Sequence, residues 1–164
     1  MSTKKIRVAI VGLGFGAEFI PIYKKYPNAE LVALCKRNEE KLNEIADAFD
    51  IPKRYTSYED LLADADIDAV HINTPIPNHG EQSIKALKAG KHVEWNVPMA
   101  TTVEECKQIW ALTGKNGKTY NMIANVVYTS EFIYIKELYA KGNWGKVELL
   151  KTSHQQEMDG RPTR

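Results

Sequence analysis

Three small residues, Gly12, Gly14 and Ala17, follow the apolar run Ile6-Arg-Val-Ala-Ile-Val11 at the spacing Gly-x-Gly-x-x-Gly/Ala. That spacing suits the binding of a pyrophosphate by backbone atoms. The first glycine permits a tight turn, the second lets the backbone approach the phosphate oxygens, and a small third residue keeps the next helix close to the strand. Leu13, Phe15 and Gly16 complete the turn. Phosphates would then sit on unpaired N–H groups at the positive end of that helix. Turns alone can produce such a pattern, so its context carries weight: it comes directly after a strand-like run near the N-terminus.

A second chemical signal follows the next apolar run, Leu31–Cys35, where the chain reads Cys35-Lys36-Arg37-Asn38. An NAD-type site places a carboxylate here to bind the ribose 2′-hydroxyl. A cationic pair instead suits a 2′-phosphate, because charge-assisted bonds to phosphate are strong and Arg can make two in parallel. The expectation is therefore NADP or NAD, with NADP favoured; the competing reading makes Lys36 and Arg37 solvated turn charges. Candidates for acid/base chemistry are His79 and Tyr128. A helix start disfavours imidazolium, so His79 would stay neutral and hydrogen-bond, while the Tyr128 hydroxyl could act if its pKa were lowered. Both also admit a purely structural role. His154, in the polar run Ser153–Asp159, could face a substrate. His71 and His92 fall within or beside strands and read as structural.

The elements that must position these groups alternate along the chain. Ile6–Val11 and Leu31–Cys35 are strands, and Glu18–Lys25 carries the first helix. Asn38 caps a helix with Leu42, Ile45, Ala46 and Phe49 on one face, stopped by Pro52. Ser57-Tyr-Glu-Asp60 resembles a capping box before Leu61 and Leu62. Ala69–Asn73 is a strand, and Asn78-His-Gly-Glu81 opens a helix ending at Gly90. Val93–Val97 is a strand, and Thr102-Val-Glu-Glu105 caps a helix whose buried stripe would hold Val103, Cys106 and Trp110. Tyr120–Val127 is a further strand. This alternation predicts an α/β fold, a doubly wound parallel sheet with helices on both faces (a Rossmann fold). It is complete by about Asn125, giving a dinucleotide-binding domain over residues 1–125. Residues 126–164 then hold a connector helix, Ser130–Lys141, with Phe132, Ile135 and Leu138 buried. A turn at Gly142-Asn-Trp-Gly145 and a strand-like run, Lys146–Ser153, start an incomplete α+β domain.

Composition narrows the partners. With 43% hydrophobic residues in 164, the chain can bury a proper core, and a net charge of +1 gives no electrostatic reason to expect nucleic acid or membrane. No run is long enough to span a bilayer, and Met-Ser-Thr-Lys-Lys leads straight into a strand. Cys35 and Cys106 have neither metal-ligand nor disulfide spacing, so no metal is expected and the cysteines fit a reduced, cytoplasmic protein.

The run Asn73-Thr-Pro-Ile-Pro-Asn-His79, then Ala86-Leu-Lys-Ala-Gly-Lys-His-Val93 and Pro98-Met-Ala100, resembles the Gfo/Idh/MocA group of sugar and polyol oxidoreductases. The resemblance extends through Gly142-Asn-Trp-Gly-Lys-Val147, which looks like the entry to that family's second domain. It implies a nicotinamide dinucleotide in the first domain and a sugar-like substrate held against a second domain almost wholly absent here. By the same resemblance, Asn73, Thr74, Pro75 and His79 line the middle of the cofactor and Asn96 lies near the nicotinamide. One departure matters: the family's Glu-Lys-Pro corresponds to Asn96-Val97-Pro98, and Val97 cannot move a proton. Relatives that look like NAD-dependent glycosidases also replace that lysine, which keeps an oxidation–elimination route open. So does a third reading, an isolated dinucleotide-binding module without catalysis of its own. A homo-oligomer stays open too, because the family's usual contact surface lies on the absent sheet.

Overall fold

The computed structural model describes residues 4–151 and 153. They divide into two compact units, one ending at Ala124 and the other beginning at Asn125. The first is built on a six-stranded parallel sheet: β1 Ile6–Val11, β2 Ala29–Cys35, β3 Lys53–Tyr55, β4 Ala69–Ile72, β5 His92–Trp95 and β6 Tyr120–Met122. Its helices are α1 Ile20–Lys25, α2 Glu39–Ala48, α3 Tyr58–Ala63, α4 His79–Lys88 and α5 Val103–Asn116.

The strands lie in the order β3-β2-β1-β4-β5-β6. The chain therefore winds outward from β1 in one direction and restarts at β4 in the other. Between β1 and β4 the loops leave in opposite directions, which opens a crevice at the C-terminal strand ends. The doubly wound expectation holds. Two cores follow from side-chain alternation along the buried strands. Ala9, Val11, Val70, Ile72, Val93 and Trp95 pack with Leu61, Leu87 and Ile109, while Ile10, Leu31 and Leu34 pack with Ile20, Leu42 and Ala46.

Capping residues fix the helix starts as expected. The Asn38 side chain accepts from the Lys41 N–H, Ser57 from Asp60, and Thr102 with Glu105 forms a reciprocal box. The ends differ more. The segment after the glycine turn begins as a 3-10 turn, Gly16–Phe19, before becoming α1. Helix α2 is stopped before Pro52: Asp50 takes a left-handed φ of 54°, and the Ile51 N–H returns to the Ala46 carbonyl. β3, short and bounded by Lys and Tyr, has no apolar run to announce it.

Several sequence expectations are corrected. β5 stops at Trp95, short of Val97, and β6 stops at Met122; Asn125–Tyr128 forms a 3-10 turn in place of the strand's end. On α5 the buried residue is Ile109, whereas Val103 and Trp110 are 72% and 80% exposed and Cys106 is half-buried. Two weakly apolar stripes compete on that helix, and the one carrying Ile109 is the one α5 turns toward the sheet. The second unit contains α6, Ser130–Ala140. Phe132 and Ile135 are exposed on it and Leu138 is half-buried, since one helix and a turn supply no layer to cover an apolar stripe. The turn at Gly142–Gly145 is present, but residues 146–151 pair with no strand among the described residues. A strand exists only as part of a ladder, and none of the described residues supplies one there.

Candidate functional site

The sheet register assembles the site. Val11 lies beside Cys35 and Ile72, and Ile72 beside Trp95, so the strands end in one row. Gly12, Lys36, Asn73 and Asn96 are each the next residue along, and stand side by side at the crevice. Backbone bonds continue the ladder one step further: the Gly12 N–H donates to the Cys35 carbonyl at 3.0 Å and the Asn73 N–H to the Val11 carbonyl at 2.7 Å.

Gly12 has φ +88°, and a Cβ there would lie 2.7 Å from the Asn73 carbonyl carbon and oxygen. No other residue fits both demands. Gly14 is the opposite case: a Cβ on it meets nothing within 4 Å. It faces open space, as a backbone that receives a ligand must. The N–H groups of Gly14 and Phe15 have no acceptor among the described residues. Leu13 is buried in the core, and Phe15 stacks edge-on against Phe19 at 5.4 Å. Close helix–strand packing belongs to Gly16 more than to Ala17, because a Cβ on Gly16 would lie 2.9 Å from Ile10 Cγ2. Ala17 is half-buried against the second core. Open amides beside a pinned turn therefore suit an anionic pyrophosphate.

Past β2, Lys36 is half-buried and Arg37 exposed, and neither side chain has an ion-pair partner among the described residues. Burial, with a smaller contribution from Glu59, pushes the adjacent Cys35 thiol up to about 11, so it stays protonated and unreactive.

At the exit of β4, the Thr74 hydroxyl donates to Gln82 Oε1 at 2.5 Å, an anchor that the sequence reading does not single out. Pro75 is exposed at the rim. His79 is 2% exposed, and its two nitrogens lie 2.7 Å from the Thr74 carbonyl and 2.9 Å from the Pro98 carbonyl. The buried ring thus sits between the β4 and β5 exits, and with a single N–H it donates to one of these two carbonyls. Asn96 Oδ1 accepts from the Val97 N–H at 2.9 Å, which leaves its NH₂ group available, and Val97 is 54% exposed. Tyr128 belongs to the second unit and is 79% exposed. His154 lies outside the described residues.

One group of side chains could not be found from sequence spacing. On the α1 side of the sheet, the Tyr23 hydroxyl donates to Glu94 Oε2 at 2.5 Å and lies 3.2 Å from His71 Nδ1. Nothing in local sequence links residues from α1, β4 and β5.

Fold and site define a nucleotide-binding α/β domain with its ligand crevice at the strand switch point. Residues 6–124 match the family model described as "Oxidoreductase family, NAD-binding Rossmann fold", and the chain belongs to that Gfo/Idh/MocA family. It is 31% identical over 147 residues to an uncharacterized oxidoreductase of Synechocystis, covering 89% of this chain and 40% of that protein. A glycosyl hydrolase family 109 protein of Shewanella baltica is 32% identical over 152 residues, covering 87% and 33%. Among solved structures, scyllo-inositol dehydrogenase from Lactobacillus casei, with bound NAD(H) and scyllo-inositol, superposes with a TM-score of 0.79 at 27% identity, covering 87% of this chain and 43% of that one. The chain therefore spans well under half the length of these proteins. Among the described residues, no helix is long and apolar enough to cross a membrane.

Proposed function

We propose that residues 1–125 form the dinucleotide-binding domain of an oxidoreductase that transfers hydride at a CH–OH group of a sugar- or polyol-like substrate. Residues 126–164 would lead into its substrate domain. The observation that carries this reading is the row of strand ends, with the open Gly14 backbone beside Gly12. Gly12 to Ala17 would hold the pyrophosphate, Asn73, Thr74 and Pro75 would line the middle, and Asn96 would offer its NH₂ near the nicotinamide. Bound there, the nicotinamide ring supplies hydride chemistry; the chain supplies position and polarity. His79 acts by packing between the two loops and donating to one of them. The unpaired Lys36 and Arg37 favour a 2′-phosphate, hence NADP over NAD.

Calorimetric titration of both dinucleotides into the protein tests this. NADP should bind on the order of tenfold more tightly, the worth of one charge-assisted contact. Equal or tighter NAD binding would overturn the preference, and binding of neither would overturn the site. Replacing Lys36 and Arg37 with Ala should weaken NADP and leave NAD unchanged.

Val97 supports a second reading. Val97 stands where the family's lysine would move a proton, and His79 is buried between two loop carbonyls, so neither position offers the usual acid/base for simple alcohol oxidation. The hydrolase-like relative at 32% identity fits oxidation–elimination of a glycoside, in which the cofactor ends as it began. Supplying a nitrophenyl glycoside with NAD or NADP separates the two: nitrophenol release without net cofactor reduction supports glycoside cleavage. A chain that binds dinucleotide yet turns over neither substrate class is a binding module alone.

A further inference from the structure

Three buried side-chain atoms on one stretch of chain have no hydrogen-bond partner among the described residues: His71 Nε2, Asn73 Nδ2 and Asn73 Oδ1. Buried polar atoms are rarely left so, and a single ordered water is the usual remedy. The two residues stand two apart on extended backbone, so their side chains leave the same face. Their Cα atoms are then roughly 6.5 Å apart, near enough for side chains on one face to share a single bridging water.

What His71 offers that water is fixed from its other side. A phenol has one proton to give. The Tyr23 hydroxyl gives it to Glu94 Oε2, so toward His71 Nδ1 it can only accept. His71 must therefore carry its proton on Nδ1, and Nε2 is a bare acceptor. The surroundings keep these forms in place. Burial pushes the His71 imidazole down to about 4, so it is neutral near pH 7, and burial followed by the Glu94 charge pushes the Tyr23 phenol well above its ordinary range. Phe19 closes over the His71 ring at a centroid distance of 4.6 Å.

We propose that Glu94, Tyr23 and His71 form a tautomer lock that orients the Asn73 amide through one buried water. The water donates to His71 Nε2 and accepts from Asn73 Nδ2, which turns Asn73 Oδ1 away from the histidine. Asn73 is also the residue against which Gly12 and Gly16 pack, so its amide orientation sets what the glycine turn meets from below. Tyr23 and Glu94 are positioning residues, acting through His71. Their effect on ligand affinity rests on the dinucleotide site proposed above; the lock itself does not.

Nitrogen-15 NMR of the His71 imidazole near neutral pH tests it, in the wild type and in Tyr23→Phe and Glu94→Gln. The wild type should show a proton-bearing Nδ1 and a bare Nε2. Tyr23→Phe removes the acceptor, and in Glu94→Gln the new amide can donate to Tyr23, freeing the phenol proton for Nδ1. Both should raise the Nε2–H tautomer and, where the dinucleotide site holds, weaken cofactor binding on the order of fivefold, as for one lost hydrogen bond. A wild-type Nε2–H tautomer, or a tautomer unmoved in both variants, overturns the lock. Purely structural roles for these residues would alter stability without moving the tautomer. Failure of the wild type to bind either dinucleotide while the tautomers shift as stated would refute the cofactor site and uphold the lock.

Discussion

At the scale of single residues, Gly12 and Gly14 look alike in sequence and do opposite jobs. Gly12 is a folding constraint, with a left-handed φ and 2.7 Å between a built Cβ and the Asn73 backbone. A Cβ on Gly14 would meet nothing within 4 Å among the described residues, so the fold places no demand on its missing side chain. The pair makes a sharp prediction. Gly12→Ala should destabilise the protein by about 2 kcal/mol or more, through strain and backbone displacement. Gly14→Ala should leave the unfolding free energy from urea titration within about 0.5 kcal/mol of wild type while weakening dinucleotide binding at least tenfold. If Gly14→Ala bound normally, the phosphate cradle would lie elsewhere. His79 makes the complementary point. A histidine at a helix start beside a crevice suggests acid/base chemistry, yet the ring is buried with a carbonyl of each of two loops against its nitrogens. Its partner Pro98 is 19 residues away, so only the fold could disclose the tie.

At the scale of elements, α5 separates what burial requires from what sequence suggests. Ile109 is fully buried and Trp110, its neighbour, is 80% exposed. Ile109→Ala should cost about 2–5 kcal/mol by opening a cavity under the helix, whereas Trp110→Ser should change stability by no more than about 0.5 kcal/mol. Chemical unfolding of both variants checks this, and a large loss at Trp110 would restore the stripe expected from periodicity. The reason for that misreading is physical. Val103, Cys106 and Trp110 recur at helical spacing, but so do Cys106, Ile109 and Leu112. Periodicity alone does not choose between overlapping stripes. What is written locally was legible: the apolar runs of β1, β2, β4 and β5, and the caps at Asn38, Ser57 and Thr102. The glycine turn was legible for the same reason, except that Gly16 takes the close-packing role expected of Ala17. What depends on a partner strand or layer was not. β3 gains its strand character from β2, β6 ends where pairing with β5 ends, and the Glu94–Tyr23–His71 group exists only once three elements meet.

At the scale of the whole molecule, every fully buried apolar side chain among the described residues belongs to the first unit, so global stability is set there. Its dependence on pH should be set largely by His71. Burial lowers that imidazole from the ordinary 6.5 to about 4. Between those values the unfolded chain takes up a proton that the folded protein refuses, so unfolding gains in favour as the pH falls. The contribution is fully present above about 6.5, shrinks through that window and is gone below about 4, amounting in all to roughly 3 kcal/mol. His92, also lowered by partial burial and then by Lys118, adds in the same direction. The acidic groups act elsewhere on the scale. Hydrogen bonds from Lys53 and Arg7 hold Asp64 and Asp68 well below the usual carboxylate range, so their more exposed pairs fail only in stronger acid. Urea unfolding at closely spaced pH values should therefore show a loss of about 2 kcal/mol between about pH 7 and pH 5, largely removed in His71→Asn. A flat profile over that interval, with the His71 ring resonances titrating near 6.5, would show that the imidazole is not held neutral by burial.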